Sequence, residues 1–274
     1  MRRILAALFA GLAIIGAAGA GERLPLFDAH LHYNWEPKPF YAIDEVLRMF
    51  RAHGVTGILA TSRPNDGTRA LVAAQPEDIR VIPFIRPYRV RADIGRWFDD
   101  PAAMDLIVQE HVRGGYVGIG EFHLSGRQAD TAVVKRVVDF AVANDLYLHA
   151  HVDDEALEIL YRHNPGARVI WAHTGFSTEP GKVAAYLQRY PGLWGELSYR
   201  DGITGADGQL SAAWRNLLER HPDRFLIGSD TWIDQRWASY GEIMDAYRHW
   251  LAQLPRAAAE QIAFRNAGRL FPPR

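Results

Sequence analysis

Histidine and carboxylate residues recur in this sequence at the ends of apolar runs, spaced so that several could meet around one cation. His30 and His32 bracket a leucine in Asp28-Ala29-His30-Leu31-His32. Alternate side chains of an extended strand share a face, so the two imidazoles point the same way. The pattern repeats in His149-Ala150-His151. His151 is nearer the C-terminal end of that run and is the candidate ligand; His149 is left as a supporting or interior-filling residue. His173 closes Trp171-Ala172-His173, Glu121 closes Gly118-Ile119-Gly120-Glu121, and Asp230 closes Gly228-Ser229-Asp230. Imidazole with carboxylate suits a divalent ion, zinc first and manganese as the alternative. Any one of these residues alone reads equally well as a polar strand end or a salt-bridged acid. Five separate segments ending alike are hard to attribute to chance. His53, His163, His221 and His249 fall in or near helical stretches and read as surface residues.

Cysteine is absent from the 274 residues, which excludes disulfides, cysteine-ligated zinc and a thiolate nucleophile. Any metal must then sit on histidine, aspartate or glutamate, so the 11 histidines are the residues to follow.

The elements that must position these residues are short apolar runs alternating with longer amphipathic ones. Strands are expected at 24–29, 55–61, 79–85, 117–121, 146–151, 168–172, 193–198 and 225–229. Helical periodicity occupies 42–52, 132–144, 154–162, 182–189, 212–220 and 240–254, with apolar residues three and four apart, as in Val133, Val137 and Phe140. Such alternation implies parallel strands joined by right-handed crossovers. Eight units in roughly 250 residues predict an α/β fold, a closed (β/α)8 TIM barrel in a single domain. The competing layout, an open doubly wound sheet, would be expected to carry a Gly-rich phosphate fingerprint that this chain lacks. In a barrel the active face lies at the C-terminal ends of the strands, where the candidate residues fall.

Apolar residues make up 48% of the chain and charged residues 23%, the balance of a globular protein. A formal net charge of -1 argues against gripping nucleic acid by bulk charge, and no nucleic-acid partner is expected. Arg2 and Arg3, an apolar stretch over 4–15 and Ala18-Gly19-Ala20 read as a signal peptide over residues 1–20, with an uncleaved anchor as the alternative. The expectation is export to the periplasm or beyond, no stable membrane association after cleavage, and a barrel domain over 21–274. Self-association into a homo-oligomer is left open.

With the strand-end residues in view, the chain resembles the amidohydrolase superfamily, and within it the amidohydrolase 2-like group that includes lactonases and decarboxylases. The family signature, HxH after strand 1, an acid or lysine after strand 4, histidines after strands 5 and 6 and aspartate after strand 8, corresponds to His30-Leu31-His32, Glu121, His151, His173 and Asp230. The segments 171–176 (WAHTGF), 227–232 (IGSDTW) and 265–271 (RNAGRLF) are also similar to that group. Many members carry a carbamylated lysine on strand 4 bridging two metals. This chain has Glu121 there, which can bridge or assist a single ion, so the resemblance leaves the metal count at one or two.

The resemblance implies a metal-dependent hydrolase cleaving a C–O or C–N bond of a lactone, ester or amide. Bound zinc lowers the pKa of its water toward about 7 and polarises the substrate carbonyl. Asp230 matches the family's general base, and His173 is either a ligand or a carbonyl-polarising group. From their places after strands 2, 3 and 7, Arg63, Arg86 and Arg200 are expected near the rim, where they suit a small anionic substrate or are simply solvated. His123, Trp232 and Tyr88 are expected at the mouth. The alternatives are a metal-dependent non-oxidative decarboxylase of an unsaturated or aromatic acid, a TatD-like nuclease, or a non-catalytic binding barrel with a degenerate site.

Overall fold

Each apolar run becomes a strand that hydrogen-bonds its successor in parallel register. The chain, described over residues 23–36 and 38–272 of a computed structural model, runs β1 (Leu26–His32), α1 (Ile43–Ala52), β2 (Val55–Thr61), α2 (Asp66–Ala73), β3 (Arg80–Ile85), α3 (Pro101–Arg113) and β4 (Gly118–Leu124). It continues α4 (Ala132–Ala143), β5 (Tyr147–Val152), α5 (Asp154–His163), β6 (Val169–Trp171), α6 (Pro180–Arg189), β7 (Leu193–Glu196), α7 (Ala212–Arg220) and β8 (Phe225–Leu226). Four α-helices follow, α8 (Asp234–Ala238), α9 (Tyr240–Leu251), α10 (Arg256–Glu260) and α11 (Asn266–Leu270). The expected leader lies outside the described residues.

The eight strands stand in sequence order. An isolated parallel bridge from Asp28 to Ile227, the 2.8 Å bond from Ala29 N–H to Ile227 O and the 2.7 Å bond from Asp230 N–H to His30 O join the last strand to the first. The expected TIM barrel is therefore the observed fold. Among the described residues no helix is long and apolar enough to cross a membrane.

The helices follow from local chemistry. Thr131 caps α4 by accepting from Val134 N–H, and Val133, Val134, Val137 and Val138 then form one buried stripe. Asp100 caps α3, where Pro101 takes the first-turn position that needs no amide donor. Asp153 caps α5 directly after β5. Two apolar layers result. One fills the space between helices and barrel. The other fills the lower barrel interior with Phe27, Leu59, Phe84, Tyr147, Ile170 and Leu226 and is closed from below by Leu270 and Phe271. The Phe271 ring lies 5.3 Å from that of Tyr147 and 6.0 Å from that of Phe84. With the lower half filled by hydrocarbon, polar side chains are left the upper end.

Candidate active site

The strand ends converge at that upper end. β1 runs longer than its apolar pattern and carries both His30 and His32 within it, fully buried. β8 is shorter than expected, so Asp230 lies beyond the strand, in an irregular segment held by its N–H bond to His30 O. His173 likewise sits in a turn after β6. Five residues past the ends of β6, β7 and β8, His173, Thr174, Phe176, Tyr199 and Asp230, adopt φ between 46° and 56°. This left-handed region costs a non-glycine residue of order 1 kcal/mol or more, and such residues cluster where geometry serves function. Gly228 lets the last strand approach the first: a Cβ there would lie 2.4 Å from His30 Cβ and 2.6 Å from Glu196 Oε1.

Nitrogen and oxygen atoms crowd together here. His30 Nε2 and His32 Nε2 are 3.1 Å apart. His32 Nε2 lies 3.0 Å from Asp230 Oδ1 and 3.2 Å from Glu121 Oε2, and His30 Nε2 lies 3.4 and 3.5 Å from the same two carboxylates. His173 Nε2 is 3.5 Å from Glu121 Oε1 and, though buried, has no hydrogen-bond partner. His151 Nδ1 bonds Glu121 Oε1 at 2.8 Å. The structure thus brings His30, His32, Glu121, His151, His173 and Asp230 together.

Behind them stands a residue that sequence reasoning passed over. Glu196, at the end of β7, accepts from His30 Nδ1 at 2.8 Å, from Ser198 N–H at 2.6 Å and from Ser198 Oγ at 2.8 Å. His173 Nδ1 donates to Ser198 O at 2.8 Å. Both histidines therefore carry a proton on Nδ1 and present Nε2 to the cluster, the orientation that metal-binding imidazoles require. The signal in the sequence was the same as for Glu121, a Gly-Glu pair at the end of an apolar run.

Electrostatics keep the acids charged. Burial alone would raise each carboxyl, but His30 and His32 hold Asp230 down at about 2. His123, His30 and the His151 hydrogen bond hold Glu121 well below its usual range against its burial, and His30 lowers Glu196 against its own. His32 is pushed down by burial and by the adjacent Arg86 charge. Burial also lowers His123, to about 3.

Tested against a divalent cation, this donor set fits. His30, His32, Glu121 and Asp230 offer ligand atoms within 4.8 Å of one another, of the N and O types that zinc and manganese accept, and the unpartnered His173 Nε2 is aimed at the same carboxylates. The group could hold a metal ion.

Above the cluster opens a cavity of about 320 Å³, whose lining includes Arg63, Arg91, Phe176, Tyr199 and Trp232 together with His123, His151 and Arg86. Arg63 is held by Glu36 at 2.6 Å. His123 Nδ1 lies 3.0 Å from the Tyr88 hydroxyl, so Tyr88 supports the wall from behind rather than lining it. Arg200 is a correction to the sequence reading. It does not reach this cavity: β7 ends at Glu196, Tyr199 turns the backbone through φ 48°, and the Arg200 guanidinium lies over the Trp214 ring while donating to the carbonyls of Asp201 and Thr178. His149 lies beneath the site, its ring 4.3 Å from that of His30. A cavity of about 710 Å³ at the opposite end, lined by Arg80, Tyr147, Arg168 and Phe271, contains none of these residues.

The family model described as Amidohydrolase matches residues 27–272. No curated protein sequence matches significantly. Among solved structures, an amidohydrolase from Burkholderia multivorans with bound zinc is similar at 19% identity over 90% of this chain and 98% of that one, TM-score 0.57. A probable 2-pyrone-4,6-dicarboxylic acid hydrolase from Acinetobacter baumannii with citric acid bound shares 15% identity over 89% and 98%, TM-score 0.58. A 2,6-dihydroxybenzoate decarboxylase complexed with 2,6-dihydroxybenzoate shares 13% identity over 90% and 98%, TM-score 0.61. At such identities the likeness is one of fold.

Proposed function

The chain belongs to the amidohydrolase family, matched over residues 27–272, and on that premise we propose that it is a metal-assisted hydrolase cleaving a C–O or C–N bond of a small anionic lactone, ester or amide. The observation that carries this reading is the convergence of His30, His32, Glu121, His173 and Asp230 on one point at the floor of an arginine-rimmed cavity. Zinc, in this reading, is the ion held there by His30, His32, Glu121 and Asp230, with His173 alongside. When bound, such an ion polarises a carbonyl and acidifies water.

The remaining steps belong to the protein's own groups. Asp230 lines the cavity and is ionised at neutral pH, so its carboxylate can take the proton of the attacking water. A base this weak holds a proton briefly, which suits passing it to the leaving group. Arg63 and Arg91 pair with a substrate carboxylate at the rim. Phe176, Tyr199 and Trp232 cover an unsaturated body and exclude water.

Those aromatic walls also favour a second reading, decarboxylation of an aromatic or unsaturated acid, the reaction named for one structural neighbour. A cavity of about 320 Å³ suits a small molecule better than a nucleic-acid strand. Screening carboxylated lactones, esters and amides for acid release, beside carboxylic acids for CO2 release, separates the two. Under the hydrolase reading Asp230→Asn loses turnover by a factor of 100 or more, the scale of a general base, and His30→Ala loses zinc and activity together. A His30→Ala protein that kept both would remove the basis for the assignment. CO2 release without acid release would move it to the second reading.

A further inference from the structure

Among the described residues, Tyr199 alone lines both the active-site cavity and a neighbouring hollow of about 260 Å³. The hollow lies between the segment that follows β7 and helix α9. Ile203, Ile243 and Trp250 supply apolar surface there, and Arg200, Asp201 and Arg236 supply its charges.

Three contacts fix the Tyr199 ring between the two spaces. The Arg236 guanidinium, which belongs to the hollow, lies 4.0 Å from the ring centre. The His173 ring, which belongs to the cavity, meets it nearly edge-on at 6.1 Å between centroids. At the tip, Trp232 Nε1 donates to the Tyr199 hydroxyl at 3.3 Å. Arg236 is itself anchored, with Nε and Nη2 donating to Ser229 O at 3.0 and 2.5 Å. A planar guanidinium held in this way offers a flat, cationic face on which an aromatic ring stacks. The ring therefore stands as a partition, braced from α8 on one side.

We propose that Tyr199 is a specificity-determining residue: braced by Arg236, its ring closes the active-site cavity against the hollow and excludes acids that carry an aryl arm. The inference deepens the small anionic substrate of the proposed function and rests on it. With the ring removed the two spaces join. An aryl arm on the substrate then takes the place of the tyrosine against Arg236 and reaches Ile203, Ile243 and Trp250.

The test is the affinity of the full chain, supplied with Zn2+, for benzoate and for meta- and para-phenylbenzoate, measured by isothermal titration calorimetry. The wild type is expected to bind benzoate about tenfold or more tighter than either phenylbenzoate, the scale on which a pocket wall discriminates by size. Tyr199→Gly removes the ring at a backbone φ of 48°, which glycine adopts without strain. It is expected to bind at least one phenylbenzoate as tightly as benzoate or tighter. Ala246 lines the hollow from α9 and is exposed, so adding Ala246→Trp fills the hollow and restores the wild-type preference. A general loosening of the mouth would survive that second change. Arg236→Met, which takes away the brace and leaves the ring, narrows the preference and serves if the glycine variant folds poorly. Three results each overturn the proposal while leaving the carboxylate pocket intact: a wild type without the preference, a folded Tyr199→Gly or Arg236→Met protein that keeps it in full, or a gain that persists with Ala246→Trp. Benzoate binding undetectable in wild type and variants alike overturns the anionic-substrate reading, and this inference with it.

Discussion

Replacing Glu196 by glutamine tests how the site is poised. Glu196 and His30 are both fully buried, and the carboxylate takes the His30 Nδ1 proton at 2.8 Å. Its second oxygen already accepts Ser198 N–H at 2.6 Å. Glutamine keeps the shape but turns one of those oxygens into a donor. If the amide faces His30, the imidazole must move its proton to Nε2, where a metal ion would bind. If it faces Ser198, two donors meet without an acceptor. The first outcome weakens zinc binding by about 10–100-fold, or about 1.4–2.7 kcal/mol. The second lowers stability by about 1–3 kcal/mol, a melting shift of roughly 2–4 °C per kcal/mol for a domain of this size. Chelator competition for zinc and thermal unfolding, run on the same preparation, read both. A Glu196→Gln protein with wild-type melting and zinc affinity within twofold of wild type would refute the claim that Glu196 orients His30.

Three further outcomes follow from the geometry. Asp93 is held at about 2, below the ordinary 3.8, because the Arg89 hydrogen bonds outweigh its burial; the stability it contributes is present above pH 3.8 and lost as pH falls through about 2. Allowing for the exposed arginines, that is roughly 1–2 kcal/mol, so Asp93→Asn should flatten the urea-unfolding difference between pH 5 and 2.5, and an unchanged difference would discount the pair. Arg63→Met should raise KM for carboxylated substrates about tenfold or more with little change in kcat, as loss of one charge-assisted hydrogen bond requires; steady-state kinetics decide, and a pure kcat loss would place Arg63 elsewhere. Gly228→Ala puts a Cβ within 2.4 Å of His30 Cβ, and should cost about 1–3 kcal/mol in thermal unfolding, whereas a neutral effect would mean that β8 can draw away from β1.

The barrel was legible because apolar runs and amphipathic runs alternate with little interruption, and the ligand-type residues because each closes its run. What the pattern could not supply was direction beyond the strand ends. Arg200 stands four residues past Glu196, outside the strand's alternation, and a left-handed Tyr199 turns it outward. Glu196 carried the same Gly-Glu signature as Glu121 but lacked a neighbouring histidine in sequence; its partner His30 is 166 residues away.

The aromatic floor under the barrel ties distant parts of the chain to one event. Phe271 packs against Phe27, Phe84 and Tyr147, so β1, β3 and β5 share a common stopper supplied from residues near 270. An N-terminal fragment ending before that stopper would leave those rings wet. Partial barrels should therefore be poor intermediates, and closure should come late and slowly, as long-range contacts dictate. Loosening at residue 271 would be felt at the rings of three strands together, so the base of the barrel should melt as one unit.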